Sequence, residues 1–593
     1  MTPAEPGAQD WVLRLVSSPR RFFLLFAALV AFAFAAEITR VTPSDIGFLL
    51  YAAGRVLDGA VLYVDVVEIN PPLIIALNVP VVLAARTLGL PEILLYRVAV
   101  AAVLLASIGL TARALRFLLP EEEAARRRWL LLILALVLFP LSAPDFGERE
   151  QLLLALASPF LVLAAARARG NPVPRSEAAI IGVLGGFAFA LKPHFVLLWA
   201  AVEVYLMVRR RRWLPASRPE SLAAAGFLLV YGTAVLLVTP AYLRMIRLLG
   251  ASYLRFLHDP FLHLLVTGPG VLLTVFAVLA WVALSKRTRH PELGRLFAVA
   301  VVGSLIAAAA QQKGLRYHFY PSFGLGIVLI GVIVANSPRS LKGPAERLYH
   351  VLACAVLGTA AAMTLIESGL QVIGRGQRQG EPELAPLSAL VREKAAGEPV
   401  FVMSYHIGSA FPLINYSGAF LGSRFHQLWI LAADYLHLLK SPEPLRYREP
   451  AAMPPSERFL NEAVLADLRR YRPRLLIVLR HARDHPSNGY RRLDYVRYFG
   501  RDPRFAEIFE HYQQLDVIGN YAVYERGTTA APRSSRRPAS APGTQDLQRR
   551  RGDVLGVGLR SPTFLLRLGI FVLIVAGLTA QQVTWRSSSS ARH

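Results

Sequence analysis

Residues 20–73 read RRFFLLFAALVAFAFAAEITRVTPSDIGFLLYAAGRVLDGAVLYVDVVEINPPL. Residues 22–36 carry no charge, Arg14, Arg20 and Arg21 stand before them, and Glu37, Arg40 and Asp45 follow directly. An apolar run with a basic entry reads as a membrane span whose first end stays in the cytoplasm. A signal peptide with a small-residue cleavage site is the competing reading. The many apolar runs downstream favour an uncleaved first span with the same export role.

Working outward, 54% of the 593 residues are hydrophobic and the mean hydropathy is +0.42, more apolar surface than one soluble core holds. The chain reads as a polytopic α-helical membrane protein of about 11–12 spans. Runs fall near 20–37, 92–115, 129–144, 151–168, 177–191, 195–208, 221–239, 264–285, 296–311, 321–336, 348–366 and 562–580. The run at 73–88 contains Asn78 and Pro80 and is read as lying along the interface. The net charge of +25 sits in short loops between runs, which topology demands and nucleic acid does not explain. A lone cysteine, Cys354 in an apolar run, excludes an intramolecular disulfide and a thiolate metal cluster.

With residues 1–19 cytoplasmic, the basic loops at 113–128, 167–175, 209–218, 286–295 and 338–347 also fall inside. The same count exports 38–91, 142–150, 192–194, 240–263 and 312–320. The transmembrane part is thus expected over 20–367, with 38–91 as its first outer loop. A polar stretch at 368–530 alternates strand-like runs (399–405, 474–480, 521–526) with a helical one (456–471) and reads as a C-terminal extracytoplasmic α/β cap domain. Residues 531–561, rich in Arg, Ser, Pro and Gly, read as a flexible linker to a last span at 562–580. No internal repeat, P-loop, zinc-protease or dinucleotide fingerprint is present.

The topology strands charges at one face. Asp145, Glu148, Arg149 and Glu150 crowd the mouth of two spans. Unless a ligand accounts for them, they form a self-neutralising loop at headgroup level. Lys192, His194, Lys313, Arg316, Tyr317 and His318 lie where spans meet the outer surface, a place poor in cations. Snorkelling to lipid headgroups is the plain reading. A phosphate leaving group is the sharper one, since it gains negative charge as the glycosyl bond breaks. Arg244, Arg247, Arg255 and His258 are weaker candidates of that kind, and His263 reads as structural. Tyr51, Tyr63, Tyr253 and Tyr317 read as an interfacial aromatic belt before they read as sugar-stacking rings.

The order Asp45, amphipathic helix, Tyr63, Asp65, Glu68 and Pro71-Pro72 resembles the first outer loop of the C-type polytopic glycosyltransferases. It is most similar to that of the protein O-mannosyltransferase and lipid A aminoarabinose transferase family, and Asn70 stands where that family usually has lysine. The resemblance covers about residues 20–526. It implies that Asp45 activates the acceptor nucleophile or helps hold a divalent cation, with Glu148 as a second acidic or metal-binding residue, and that Asp145 or Glu148 binds sugar hydroxyls or a metal while Arg149 faces phosphate. A capping reading coexists, with Thr42 as N-cap, Pro43 at the first helical position and Asp45 at the third.

The sequence therefore points to an integral glycosyltransferase of a bacterial-type inner membrane. It is expected to move a sugar from a polyprenyl-phosphate donor to a glycan, lipid or protein acceptor in the cell envelope, on the extracytoplasmic side and with inversion. In that scheme Asp45 and Glu148 are catalytic. Glu68, Asp145, Arg149, Lys192, His194, Lys313, Arg316, Tyr317 and His318 bind substrate. Apart from a possible divalent cation no cofactor is implied, and the partners are the lipid-linked donor, the acceptor and membrane lipids, with no nucleic acid. The competing classes are a lipid-linked glycan flippase or transporter, and a polysaccharide ligase or polymerase moving a preassembled glycan.

Overall fold

In the computed structural model the described residues are 8–210, 218–336, 343–374, 383–439, 445–480 and 493–527. The expected linker at 531–561 and last span at 562–580 lie outside them. Internal contacts divide the chain into two compact units, Met1–Ile46 with Ile93–Tyr231 and Leu257–Gly380, and Gly47–Glu92 with Gly232–Phe256 and Glu381–His593.

Every expected apolar run among the described residues lies on a helix. Among the described residues, seven helices are long and apolar enough to cross a bilayer: Pro19–Ile38, Glu92–Arg116, Arg149–Arg169, Pro219–Val238, Pro291–Ala310, Arg316–Asn336 and Pro344–Val372. The chain is a multi-pass membrane protein. Shorter helices at Ala124–Leu136, Arg175–Ala190 and Val196–Arg210 take up further runs, and the run at 73–88 is the helix Leu73–Leu88. The run at 264–285 is broken: Phe261–Thr267 and Val271–Arg287 meet at 71°. Gly270, at φ +77°, turns the chain at that break.

Burial sorts the spans by role. In Arg149–Arg169 and Arg316–Asn336, 89% and 94% of the apolar window is buried, against 17% in Pro19–Ile38 and 22% in Pro344–Val372. The first two form the centre of the helical unit, and the last two turn their side chains outward, as lipid-facing helices do. Trp129 Nε1 donates to Gly331 O at 3.0 Å and Tyr320 Oη to Val137 O at 2.6 Å, which locks the Ala124–Leu136 helix to the Arg316–Asn336 helix. Residues 137–141 form a π turn containing Pro140, whose missing N–H interrupts the helical hydrogen-bond ladder there.

The helices that meet the site end of this unit carry their arginines at the other end. Arg113 and Arg116, Arg167 and Arg169, and Arg209 and Arg210 all lie in last turns. Glu177, Glu220 and Glu292 pair with Arg113, Arg167 and Arg209 at 2.6, 3.0 and 2.8 Å.

The second unit holds the expected α/β region. Its sheet runs β2-β1-β3-β5-β4, with β1 at Pro399–Met403, β2 at Phe420–Leu421, β3 at Leu475–Leu479, β4 at Tyr512–Ile518 and β5 at Tyr521–Arg526. β1 is parallel to β2 and β3, and β5 is antiparallel to β3 and β4. The all-apolar β1 (PVFVM) and β3 (LLIVL) are buried along their whole length, as central strands covered on both faces require. The expected helix is Pro455–Tyr471. Part of the first loop belongs to this unit: Val67 N donates to Arg424 O at 2.8 Å and Tyr51 Oη to Leu421 O at 3.2 Å.

Candidate functional site

The site grows from the turn at 142–148, which joins the π turn to the Arg149–Arg169 helix. Gln151 ties this turn down: its Oε1 accepts from Gly147 N at 2.6 Å, and its Nε2 donates to Leu138 O and Ser142 Oγ, both at 2.7 Å. Gly147 adopts φ +86°, and Tyr96 Oη donates to its carbonyl at 2.7 Å. A Cβ at Gly147 would stand 2.5 Å from that hydroxyl oxygen, so only glycine satisfies both the turn and the contact. Glu148, as the N-cap residue, and Arg149, at the first helical position, are thereby held at the opening of the helix.

Around that opening the charges are buried and close. Glu150 Oε1 accepts from Lys192 Nζ at 2.5 Å, with both side chains almost wholly enclosed. Lys192 lies between Tyr317 and Phe195, 5.3 and 5.9 Å from the ring centres. Burial, then the neighbouring Arg149 charge, push Lys192 below the ordinary lysine range, while Glu150 opposes them. Arg149 is 3% exposed, and its Nε and Nη1 meet no hydrogen-bond partner among the described residues. Glu150, Asp45 and Glu148 face its charge, and each buried donor left without an acceptor costs about 1–3 kcal/mol. His194 Nε2 is similarly buried and unpaired, and burial with the adjacent Lys192 and Arg149 charges keeps its imidazole neutral.

The segment before the Arg316–Asn336 helix adds a second set. Arg316 Nη2 donates to Asp145 Oδ1 at 2.9 Å. Burial raises Asp145 to about 6, with Arg316 opposing and Glu150 and Asp45 assisting. Lys313, pushed down to about 8 by burial, offers its carbonyl to His318 Nδ1 at 3.3 Å. His318 meets Tyr317 edge-on, the ring centres 4.4 Å apart.

Asp45 stands on the helix Ser44–Leu57 in its first turn. The helix begins at Ser44, so Asp45 is its second residue and Pro43 lies outside it, one step from the expected cap. The Asp45 charge acts on Glu148, Asp145, Arg149 and Tyr317, which groups it with them in one unit. Glu148 is pushed well above the carboxylate range by burial and then by Asp45. Of the expected site residues, the structure thus gathers Asp45, Asp145, Glu148, Arg149, Lys192, His194, Arg316, Tyr317 and His318, with Lys313 on the adjoining strand of chain. Glu68 belongs to the second unit, where its Oε1 accepts from Ile69 N, Asn70 N and Asn70 Nδ2, each at 2.7 Å.

As a home for a divalent cation, Asp45 and Glu148 bring two carboxylates with Arg149 and Lys192 beside them. Among the described residues no three His, Cys, Asp or Glu side chains gather as a metal site. Arg149 and Lys192 bring positive charge to these carboxylates.

Some weaker candidates have protein partners. Arg255 pairs with Asp434 at 2.7 Å and His263 with Asp259 at 2.6 Å. Tyr63 is fully buried and donates to Asn70 O at 2.8 Å, which removes it from any interfacial belt. Sequence reasoning missed the structural work of Glu150 and Gln151. The signal was present in their place at the start of an otherwise apolar helix, where buried polar groups require partners.

No family model matches the chain, and no curated protein matches its sequence. Solved structures do match its fold, two of them of one protein. ArnT from Cupriavidus metallidurans bound to undecaprenyl phosphate aligns with a TM-score of 0.52 at 12% identity, over 86% of this chain and 98% of that one. The same protein in its apo state aligns with a TM-score of 0.50 at 14% identity, over 85% and 98%. The chain has the polytopic membrane fold of ArnT, a lipid A aminoarabinose transferase of the C-type glycosyltransferase class.

Proposed function

We propose that this protein is a membrane glycosyltransferase that takes a sugar from a polyprenyl-phosphate donor and gives it to an acceptor on the extracytoplasmic side. The observation that carries the reading is Arg149, a buried guanidinium with two unpaired donors at a helix opening beside Lys192. A lipid phosphate supplies the acceptor oxygens such a group lacks. The likeness to a structure bound to undecaprenyl phosphate supports the same donor class.

In the proposed reaction an acceptor hydroxyl passes its proton to the Asp45 carboxylate as its oxygen attacks the anomeric carbon. The bond from that carbon to the phosphate oxygen breaks, and its electron pair stays on the phosphate. Arg149 and Lys192 stabilise the charge that develops there, with Lys313 assisting. Glu148, protonated, donates a hydrogen bond to the sugar or the departing oxygen. A single displacement inverts the anomeric centre. The neutral His194 accepts from or donates to the donor head without adding charge.

The test is incubation of purified protein with a labelled polyprenyl-phosphate sugar. Transfer or slow hydrolysis is expected, with most of it lost in Asp45→Asn and donor use weakened more than acceptor use in Lys313→Ala. Translocation without bond cleavage would support a flippase instead, and unaltered transfer by Asp45→Asn would remove the central assignment. Product mass separates a single sugar from the preassembled glycan of a ligase or polymerase.

A further inference from the structure

Two neighbouring residues of the Glu92–Arg116 helix touch the two chain segments that carry the proposed catalytic carboxylates. Tyr96, 4% exposed, donates its hydroxyl to Gly147 O, immediately before Glu148. Arg97, 7% exposed, spends its guanidinium on the strap between the first helix and the Asp45 helix. Its Nη1 donates to Ile38 O at 3.1 Å, its Nη2 to Arg40 O at 2.8 Å and Thr42 Oγ1 at 3.5 Å, and its Nε to Glu37 Oε1 at 3.1 Å. Arg40 in turn pairs with Glu367 at 3.0 Å, fastening the strap to the Pro344–Val372 helix.

Consecutive helical residues point about 100° apart, so adjacent positions reach two different loops from one rigid rod. We propose that Tyr96 and Arg97 are positioning residues that set the distance between Asp45 and Glu148. Neither touches the reacting atoms. Their geometry is one of anchorage: three backbone carbonyls and one hydroxyl of the Asp45 strap and the Glu148 turn all end on this dipeptide. A lysine in place of Arg97 keeps the charge opposite Glu37 but has no planar fork to hold Ile38 and Arg40 together. The inference rests on the catalytic reading of Asp45 and Glu148.

The experiment compares Tyr96→Phe and Arg97→Lys with the wild-type chain, measuring kcat, donor KM and affinity for undecaprenyl phosphate on the folded fraction. Asp45→Asn and Glu148→Gln run in parallel. The clamp variants are expected to lose kcat by on the order of 10- to 100-fold with donor KM and lipid affinity unchanged, because misplacement of a reacting group is felt in the transition state. A residue with a merely structural role would lower the yield of folded protein and leave kcat of the folded fraction intact. Should Arg97→Lys fail to fold, Tyr96→Phe, which removes one oxygen, decides alone. Wild-type kcat in the clamp variants, with Asp45→Asn and Glu148→Gln inactive, overturns the clamp and leaves the enzyme reading standing. Full transfer by the carboxylate variants overturns both.

Discussion

At the scale of single residues, the account turns on buried charge. Arg149 has donors to spare where Lys192 has already been matched by Glu150. Arg149→Gln is therefore expected to abolish measurable affinity for undecaprenyl phosphate and to lower thermal stability, since Asp45, Glu148 and Glu150 lose the cation that faces them. Calorimetric binding together with a melting curve reads both effects. Gly147→Ala is expected to lose transfer and to melt several degrees lower, because its Cβ meets Tyr96 and its φ of +86° is foreign to alanine. The pH profile has two limbs on this view. Asp145, raised to about 6, becomes a carboxylate that holds Arg316 only as pH rises through that value. Lys313, lowered to about 8, loses its charge as pH rises further. Transfer should climb through about 6 and fall beyond about 8, and Lys313→Arg should move the falling limb upward. A flat profile across that window speaks against both roles. Most of these residues were legible in the sequence because cations at the end of a span expected outside go against the positive-inside rule. Glu150 as the partner of Lys192 was not legible, since the two are 42 positions apart and only packing joins them.

At the scale of elements, the turn at 142–148 matters most. Gln151 holds it through three partners, alongside Tyr96 at Gly147 O and Arg316 at Asp145. Gln151→Leu strands the buried Gly147 N–H, worth about 1–3 kcal/mol when unsatisfied, while Leu138 O and Ser142 Oγ keep their bond to each other. The variant is expected to unfold at lower temperature and to lose transfer more than lipid binding, which thermal melting and the transfer assay separate. Elements with strong periodicity or long apolar runs were readable: all described spans, β1, β3, β5 and the helix at Pro455–Tyr471. β4 was not, because its sequence YQQLDVI is an edge strand with polar residues turned outward, and nothing in it alternates cleanly. The break at 268–270 was hidden for a related reason, since two short apolar helices at 71° have the composition of one.

At the scale of the whole molecule, sequence supplied the class and the sidedness argument but not the grouping of segments. Residues 47–92 read as one loop of the membrane part, yet their contacts place them in the unit that holds the sheet. Such pairings, as between Val67 and Arg424, leave no trace in composition. Arginines end the spans that begin at the site, so those arginines and the site are expected on opposite faces of the membrane. With Cys354 replaced, a single cysteine at Arg175 should react with an impermeant thiol reagent only from the cytoplasm, and one at Gly314 only from outside. The same labelling at both positions from one side would refute that sidedness. The most direct measurement is an experimental structure of the protein with undecaprenyl phosphate. The phosphate is expected within hydrogen-bond reach of Arg149 Nε and Nη1, beside Lys192 and on the same side as Asp45 and Glu148. A phosphate bound elsewhere, with Arg149 still unpaired, would contradict the proposed enzyme.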